Sequence, residues 1–117
     1  MRAASRLSLR FPCRGLPAVA AMALAGAVQA APPAERRAEL RHMVRHECGA
    51  CHGLTRQGGL GPALTPGALA DRPDKALVRT ILEGRGGTAM PPWRRFLTPA
   101  EARWLVGRLK EGALHAQ

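Results

Sequence analysis

The segment Cys48-Gly49-Ala50-Cys51-His52 contains the residues of this chain that are best suited to do chemistry. Two thiols separated by two residues, with a histidine directly after the second, form the C-x-x-C-H pattern of covalent haem attachment. In this pattern the thiols add to the haem vinyl groups, and the imidazole ligates the iron. The spacing therefore predicts one haem c bound through Cys48 and Cys51, with His52 as an axial ligand of the iron.

Other uses of a Cys-x-x-Cys pair fit the sequence less well. A zinc site needs a second pair of ligands at finger-like spacing, and the sequence has none. A thioredoxin-like redox pair normally lies beside a β-α-β pattern, and no segment of the chain is rich in strand residues. An exported protein can also join two such cysteines in a disulfide. The adjacent His52 favours haem attachment over the disulfide.

The first 30 residues have the composition of an export signal. A basic region without acidic residues precedes an apolar run from Leu16 to Val28. Val28-Gln29-Ala30 fits a signal-peptidase site with cleavage after Ala30. The run of about 13 residues is shorter than the ~20 that a membrane-spanning helix needs. We therefore predict a signal peptide over residues 1–30, a periplasmic location and no stable membrane insertion after cleavage.

Residues 31–117, which we call the mature chain, are long enough for one small domain. Their 14 Lys and Arg against 8 Asp and Glu give a net charge of +6 before the haem propionates are counted. Excess positive charge steers an exported protein toward an acidic partner surface, and we expect a redox partner with such a surface. We also expect the protein to be a monomer. Nucleic acid is a poor partner, because the chain is exported and has no aromatic-basic binding motif.

Hydrophobic periodicity predicts three helices joined by loops, and so an all-α fold. The first helix runs from Glu35 to about Glu47 and enters the C-x-x-C-H motif, and the second runs from Asp74 to Glu83. The third opens at Thr98-Pro99-Ala100-Glu101, a capping box with proline at N1, and ends at Gly112. The apolar residues at helical spacing are Leu40, Met43, Val44, Leu77, Val78, Ile81, Leu82, Ala102, Leu105, Val106 and Leu109.

A second axial ligand must come from another part of the mature chain, where the candidates are Met43, Met90, His42, His46 and His115. Met90 follows glycines and precedes two prolines, which suits a loop lying over a flat cofactor. Met43 lies five residues before Cys48, too near to reach the far side of the ring. The histidines at 42 and 46, and a row of arginines at 37, 41 and 45, are interpreted as polar helix surface. We therefore predict that Met90 ligates the iron.

Together these features resemble a class I cytochrome c over the whole mature chain. The shared features are the helix entering C-x-x-C-H, the segment Gly61-Pro62-Ala63-Leu64, a Met-Pro-Pro loop and a capped last helix. The resemblance implies a small all-α fold around one haem and His/Met ligation, which raises the reduction potential. It also implies that the Pro62 carbonyl accepts a hydrogen bond from Nδ1–H of His52 and so orients the imidazole.

Two features of the resemblance concern packing and docking. The terminal helices of this family usually cross on a small residue and an aromatic one, whereas Leu40, Val44 and Arg108 occupy those places here. Trp104 is therefore expected to take over that packing. We also expect Trp93 to lie near a haem propionate. Arg94 and Arg95 are interpreted either as docking residues at the haem edge or as ordinary solvated surface.

The finer pattern is similar to the cytochrome c55x family of denitrifying bacteria. The similarity lies in CGACHGLTRQGGLGPALTP from Cys48 onward and in GTAMPPW around Met90. The family implies a one-electron carrier that donates to dissimilatory nitrite reductase. The alternatives are an accessory factor in maturation of the reductase's d-type haem and a haem-based binder of small ligands. An enzyme is not expected, because the Met90 loop contains no histidine or carboxylate for acid–base chemistry.

Overall fold

The computed structural model describes residues 30–114. Apart from Ala30, the predicted signal peptide lies outside the described residues, and so does His115. Every regular element of this region is helical. In chain order these are α1 (Ala34–Met43), a π-helical turn (Val44–Cys48), α2 (Gly49–His52), α3 (Pro66–Leu69), α4 (Asp74–Glu83) and α5 (Pro99–Lys110). Within residues 30–114 no helix has the length and apolar character that crossing a membrane requires.

The first predicted helix is longer and less regular than its sequence indicates. It continues past Glu47 through the π-helical turn, in which the Gly49 N–H donates to the carbonyl of Val44 five residues earlier. A π turn holds one more residue than an α turn, and such turns are frequent at functional sites. The helix therefore continues into α2 and includes the whole C-x-x-C-H motif.

The bounds of the other helices match those predicted from the sequence to different degrees. The second predicted helix has the bounds of α4, and the third ends at Lys110, two residues before the expected Gly112. Helix α3 was not predicted. Thr65 caps it by accepting a hydrogen bond from the Ala68 N–H at 3.3 Å, with Pro66 at N1. A single turn of four residues is too short to show a hydrophobic period.

The core is one cluster to which α1, the π turn, α3, α4 and α5 contribute residues, and α5 packs most extensively against α4 and also against α3. Its buried members are Leu40, Val44, Leu69, Leu82, Leu97, Ala102, Leu105, Leu109 and Leu114. Met43 and Trp104 are partly buried against this cluster. Arg108 is instead half-exposed and pairs with Glu111 at 2.7 Å. Trp104 therefore contributes to packing that Arg108 does not provide.

An arginine on α1 is bonded to the beginning of α5. Nε of Arg36 donates to Oε1 of Glu101 at 2.6 Å, and Nη2 donates to the Phe96 carbonyl at 2.8 Å. Oε2 of Glu101 accepts from the Thr98 N–H at 2.7 Å, and the Glu101 N–H donates to Oγ1 of Thr98 at 3.2 Å. Glu101 thus completes the capping box and also joins the two terminal helices.

This arrangement predicts an acid-sensitive contribution to stability. The hydrogen bond from Arg36 holds the pKa of the Glu101 carboxyl below its ordinary value of 4.5. A lowered folded-state pKa contributes stability that is complete above the unfolded-state pKa and is lost as pH falls through the folded one. We expect Glu101→Gln to lower the free energy of unfolding at pH 7 by about 1 kcal/mol after allowance for solvent screening. The difference should shrink below pH ~4.

Guanidinium unfolding of the holoprotein at several pH values measures this difference. Glu39→Gln is the matched control, because Glu39 also pairs with Arg36 at 2.6 Å but its side chain is 57% exposed. Exposed pairs of this kind contribute little. Equal losses in the two variants at pH 7 would contradict the role of Glu101.

A second stability prediction concerns Gly107 in the interior of α5. A Cβ placed there would have no atom within 4 Å, so the glycine serves no packing purpose. We expect Gly107→Ala to raise the free energy of unfolding by about 0.5–1 kcal/mol, because alanine loses less backbone entropy in a helix. Thermal unfolding of both proteins provides the measurement, and an unchanged or lower midpoint would be the contrary result.

Candidate functional site

The two thiols of the motif lie at the junction of the π turn and α2. Cys48 ends the π turn and Cys51 lies in α2; both are half-buried, and neither forms a disulfide. Burial, with a further contribution from the charge of Glu47, raises the pKa of the Cys48 thiol to about 11. Redox-active thiols of the thioredoxin kind need a lowered pKa. The environment of Cys48 therefore argues against a redox pair.

The imidazole of His52 is held in a defined orientation. Its Nδ1 lies 2.6 Å from the Pro62 carbonyl oxygen. Because a carbonyl can only accept, Nδ1–H is the donor, and in the neutral imidazole the free lone pair then lies on Nε2. This leaves Nε2 as the nitrogen that can bind a metal, with the backbone carbonyl fixing the ring.

Gly61 allows the following loop to approach this ring. Its N–H donates to the Cys51 carbonyl at 2.9 Å, and the Gly58 N–H donates to the His52 carbonyl at 2.9 Å. A Cβ on Gly61 would lie 2.7 Å from both Nδ1 and Cε1 of His52. Sequence reasoning did not identify this role, although the Gly-Pro pair at 61–62 was a signal for it. The ring is thus confined by Gly61 and hydrogen-bonded to Pro62.

Met90 lies on a separate loop, where main-chain hydrogen bonds join it to the residues that directly follow α4. The Arg85 N–H donates to the Met90 carbonyl at 3.1 Å, and the Met90 N–H donates to Oγ1 of Thr88 at 3.3 Å. Gly84 has φ +70°, and a Cβ there would lie 2.7 Å from the Met90 oxygen. These contacts give the half-buried Met90 a fixed backbone position.

The residues after Met90 are anchored as well. The Trp93 N–H donates to the Ile81 carbonyl at 3.0 Å, and its indole is partly buried against the core. The ring centroids of Trp93 and Phe96 are 5.9 Å apart. Arg94 forms an ion pair with Glu83 at 3.2 Å, and both Arg94 and Arg95 are exposed.

The other ligand candidates lie elsewhere. Met43 packs against the core, as its helical spacing predicted. The rings of His42 and His46 lie side by side, with centroids 4.3 Å apart, on the exposed part of the first helical segment. Across residues 30–114, no three His, Cys, Asp or Glu side chains are grouped to hold a metal ion.

This set of donors fits a covalently bound haem. Two thiols free of disulfides lie about one helical turn apart, next to an imidazole whose Nε2 keeps its lone pair. A thioether is carried on a second, independently anchored loop. Thiols, imidazole and thioether are the groups that c-type cytochromes use to hold haem.

Known proteins are similar to this chain in architecture and in sequence. The family described as cytochrome C oxidase, cbb3-type, subunit III matches residues 35–107. Cytochrome c55X of Pseudomonas aeruginosa is 47% identical over 108 residues, which are 92% of this chain and 83% of that protein. The solved structure of the c-type cytochrome NirC has a TM-score of 0.71 and 54% identity, covering 72% of this chain and 99% of NirC.

A larger protein contains a related segment. The structure of the dihydro-heme d1 dehydrogenase NirN, in complex with DHE, matches with a TM-score of 0.55 and 38% identity. The match covers 59% of this chain and 15% of NirN. The similarity is therefore to a small part of that dehydrogenase.

Proposed function

Because this chain belongs to the cytochrome c55X family of electron-carrying c-type cytochromes with covalent haem c, we propose that it donates electrons to dissimilatory nitrite reductase in the periplasm. The observation that most supports a carrier is the separate anchoring of the two ligand-bearing segments. His52 is hydrogen-bonded to Pro62, and Met90 is hydrogen-bonded to Arg85, two residues beyond the end of α4. Fixed groups on both segments favour a change of oxidation state with little rearrangement.

The proposed roles follow from these positions. Cys48 and Cys51 would attach the haem, and Nε2 of His52 and the sulfur of Met90 would ligate the iron. Pro62 orients the imidazole through its carbonyl, and Trp93 would lie near a propionate. The haem would supply an iron that gains or loses one electron. The chain's own contribution is to hold that centre and to tune its potential through the ligands and the His52–Pro62 bond.

The surface beside the motif supports docking to a partner protein. Leu60 is 90% exposed and Leu54 is 65% exposed. Leu60 lies between two glycines whose backbone approaches the Cys51 carbonyl, so an exposed apolar side chain is adjacent to the motif. A transient interface combines such an apolar centre with a charged rim, and the net positive charge of the mature chain suits an acidic partner.

Stopped-flow mixing of the reduced mature protein with the same organism's nitrite reductase and nitrite, at low and moderate salt, tests this proposal. We expect fast oxidation that slows as salt rises, because screening weakens steering between opposite charges. Slow oxidation despite a favourable potential would contradict the proposed acceptor.

The same measurement on Arg94→Gln/Arg95→Gln tests the docking role of these arginines. That variant should react more slowly at low salt with a nearly unchanged potential, and wild-type kinetics would exclude the role.

The similarity to a segment of NirN favours a second candidate, a role in maturation of the reductase's d-type haem. The two candidates differ in the reductase that a strain lacking this chain would produce. A fully loaded reductase with slow nitrite turnover in cells would support the carrier. A reductase isolated without its d-type haem would support maturation.

A further inference from the structure

A cleft of about 430 Å³ lies on the side of α1 and the π turn opposite Leu40 and Val44. Three arginines and two histidines line it, namely Arg41, Arg45, Arg56, His42 and His46. The other lining residues are apolar, so no acidic side chain contributes to its wall. The cleft is therefore strongly cationic.

Arg56 is the unusual member of this group, because its side chain is buried. It is 1% exposed, and its buried Nε has no hydrogen-bond partner. Among residues 30–114 it is the charged residue that folding buries. Removing a cation from water without a partner costs free energy. The arrangement therefore leaves a buried donor in the wall of a cationic cleft.

The backbone holds Arg56 firmly in this position. Its N–H donates to the Gly53 carbonyl at 2.8 Å, and its carbonyl accepts from the Leu64 N–H at 2.9 Å. Its φ of +60° is uncommon for a residue other than glycine. Burial, with a further contribution from the charge of Arg45, lowers the pKa of Arg56. Arg41 and Arg45 are also four residues apart on a helix, a spacing at which like charges repel.

We propose that this cleft binds a phosphate group, with the Arg56 guanidinium as the buried donor and Arg41 and Arg45 as its outer partners. Arginine matches phosphate because its planar fork donates two parallel hydrogen bonds. A doubly charged tetrahedral anion accepts hydrogen bonds from several directions, which suits donors on both a helix and a loop. A metal cation would be repelled by the same residues.

The cleft is separate from the residues that would hold the haem. None of Cys48, Cys51, His52 and Met90 lines it. The proposed phosphate is therefore an additional ligand, and its site stands independently of the electron acceptor proposed above.

The test is a titration of the ¹⁵N-labelled ferrous holoprotein with inorganic phosphate at constant ionic strength, followed by NMR. We expect saturable shifts of the Arg56 Nε–H signal and of amide signals around His46. Arg41→Gln/Arg45→Gln, which changes residues at the outer side of the cleft, should weaken binding at least tenfold. Arg56→Met should abolish it, and the haem spectrum reports whether that variant folds.

Arg79→Gln is the matched control, since it removes an exposed arginine of α4 that does not line the cleft. It should change the affinity less than twofold. Shifts that do not saturate, or equal weakening in the control and the double variant, would overturn the proposal, because either result reflects overall charge alone. The same titration with methyl phosphate shows whether the cleft binds a phosphate monoester more tightly than the free anion.

Discussion

Replacing Gly61 with alanine is expected to displace His52 and to destabilise the holoprotein. The new Cβ would lie 2.7 Å from two ring atoms of His52, a distance that side chains do not tolerate. The imidazole cannot simply rotate away, because its Nδ1 is bonded to Pro62 at 2.6 Å. We expect the free energy of unfolding to fall by about 2–3 kcal/mol, in the range of overpacked cores, with a changed haem absorption spectrum.

Guanidinium unfolding followed in the Soret band measures this loss. Gly67→Ala is the matched control, since a Cβ on Gly67 would meet no atom within 4 Å. It makes the same chemical change in the next short helix without a steric conflict. If Gly61→Ala unfolds at the same denaturant concentration as the control and keeps the parent spectrum, the ring is not confined in the way described.

Met90→Ala is expected to open one face of the iron. Loss of the thioether should abolish the far-red absorption of the ferric iron–methionine bond. The reduction potential should fall by on the order of tenths of a volt, because axial ligands move haem potentials over a range of about 0.8 V. The ferrous variant should also bind carbon monoxide rapidly, whereas the parent protein should not.

Met43→Leu provides the control for this experiment, because it removes the sulfur of a methionine that packs against the core. Its far-red band and potential should match those of the parent. Retention of the band in Met90→Ala would show that another residue ligates the iron. Rapid carbon monoxide binding by the parent protein itself would support a small-ligand binder over an electron carrier.

Features that depend on neighbouring residues could be predicted from the sequence. The capping box at Thr98 and the bounds of α4 follow from residue types a few positions apart. The contact between His52 and Pro62 spans ten residues and was implied by a family pattern. Each of these needs little knowledge of the remaining fold.

The features that could not be predicted depend on distant contacts or on backbone geometry. The bond between Arg36 and Glu101 joins residues 65 positions apart. The burial of Arg56 depends on a positive φ in a loop, which its residue type disfavours. The arginine row of the first helix was interpreted as solvated surface, but two of its members line a cleft that the following loop completes. Their role becomes visible only when that loop is placed.

The π turn of Val44–Cys48 has a consequence for how the protein can vary. One added residue in a helix turns everything beyond it by roughly 100° about the axis. The turn therefore sets the angle between the core side of α1, marked by Leu40, and the direction in which α2 presents His52. Substitutions that preserve this angle can alter the core without changing the direction of the His52 side chain. Deleting one residue from the turn would rotate the residues of the C-x-x-C-H motif relative to α1 and the core.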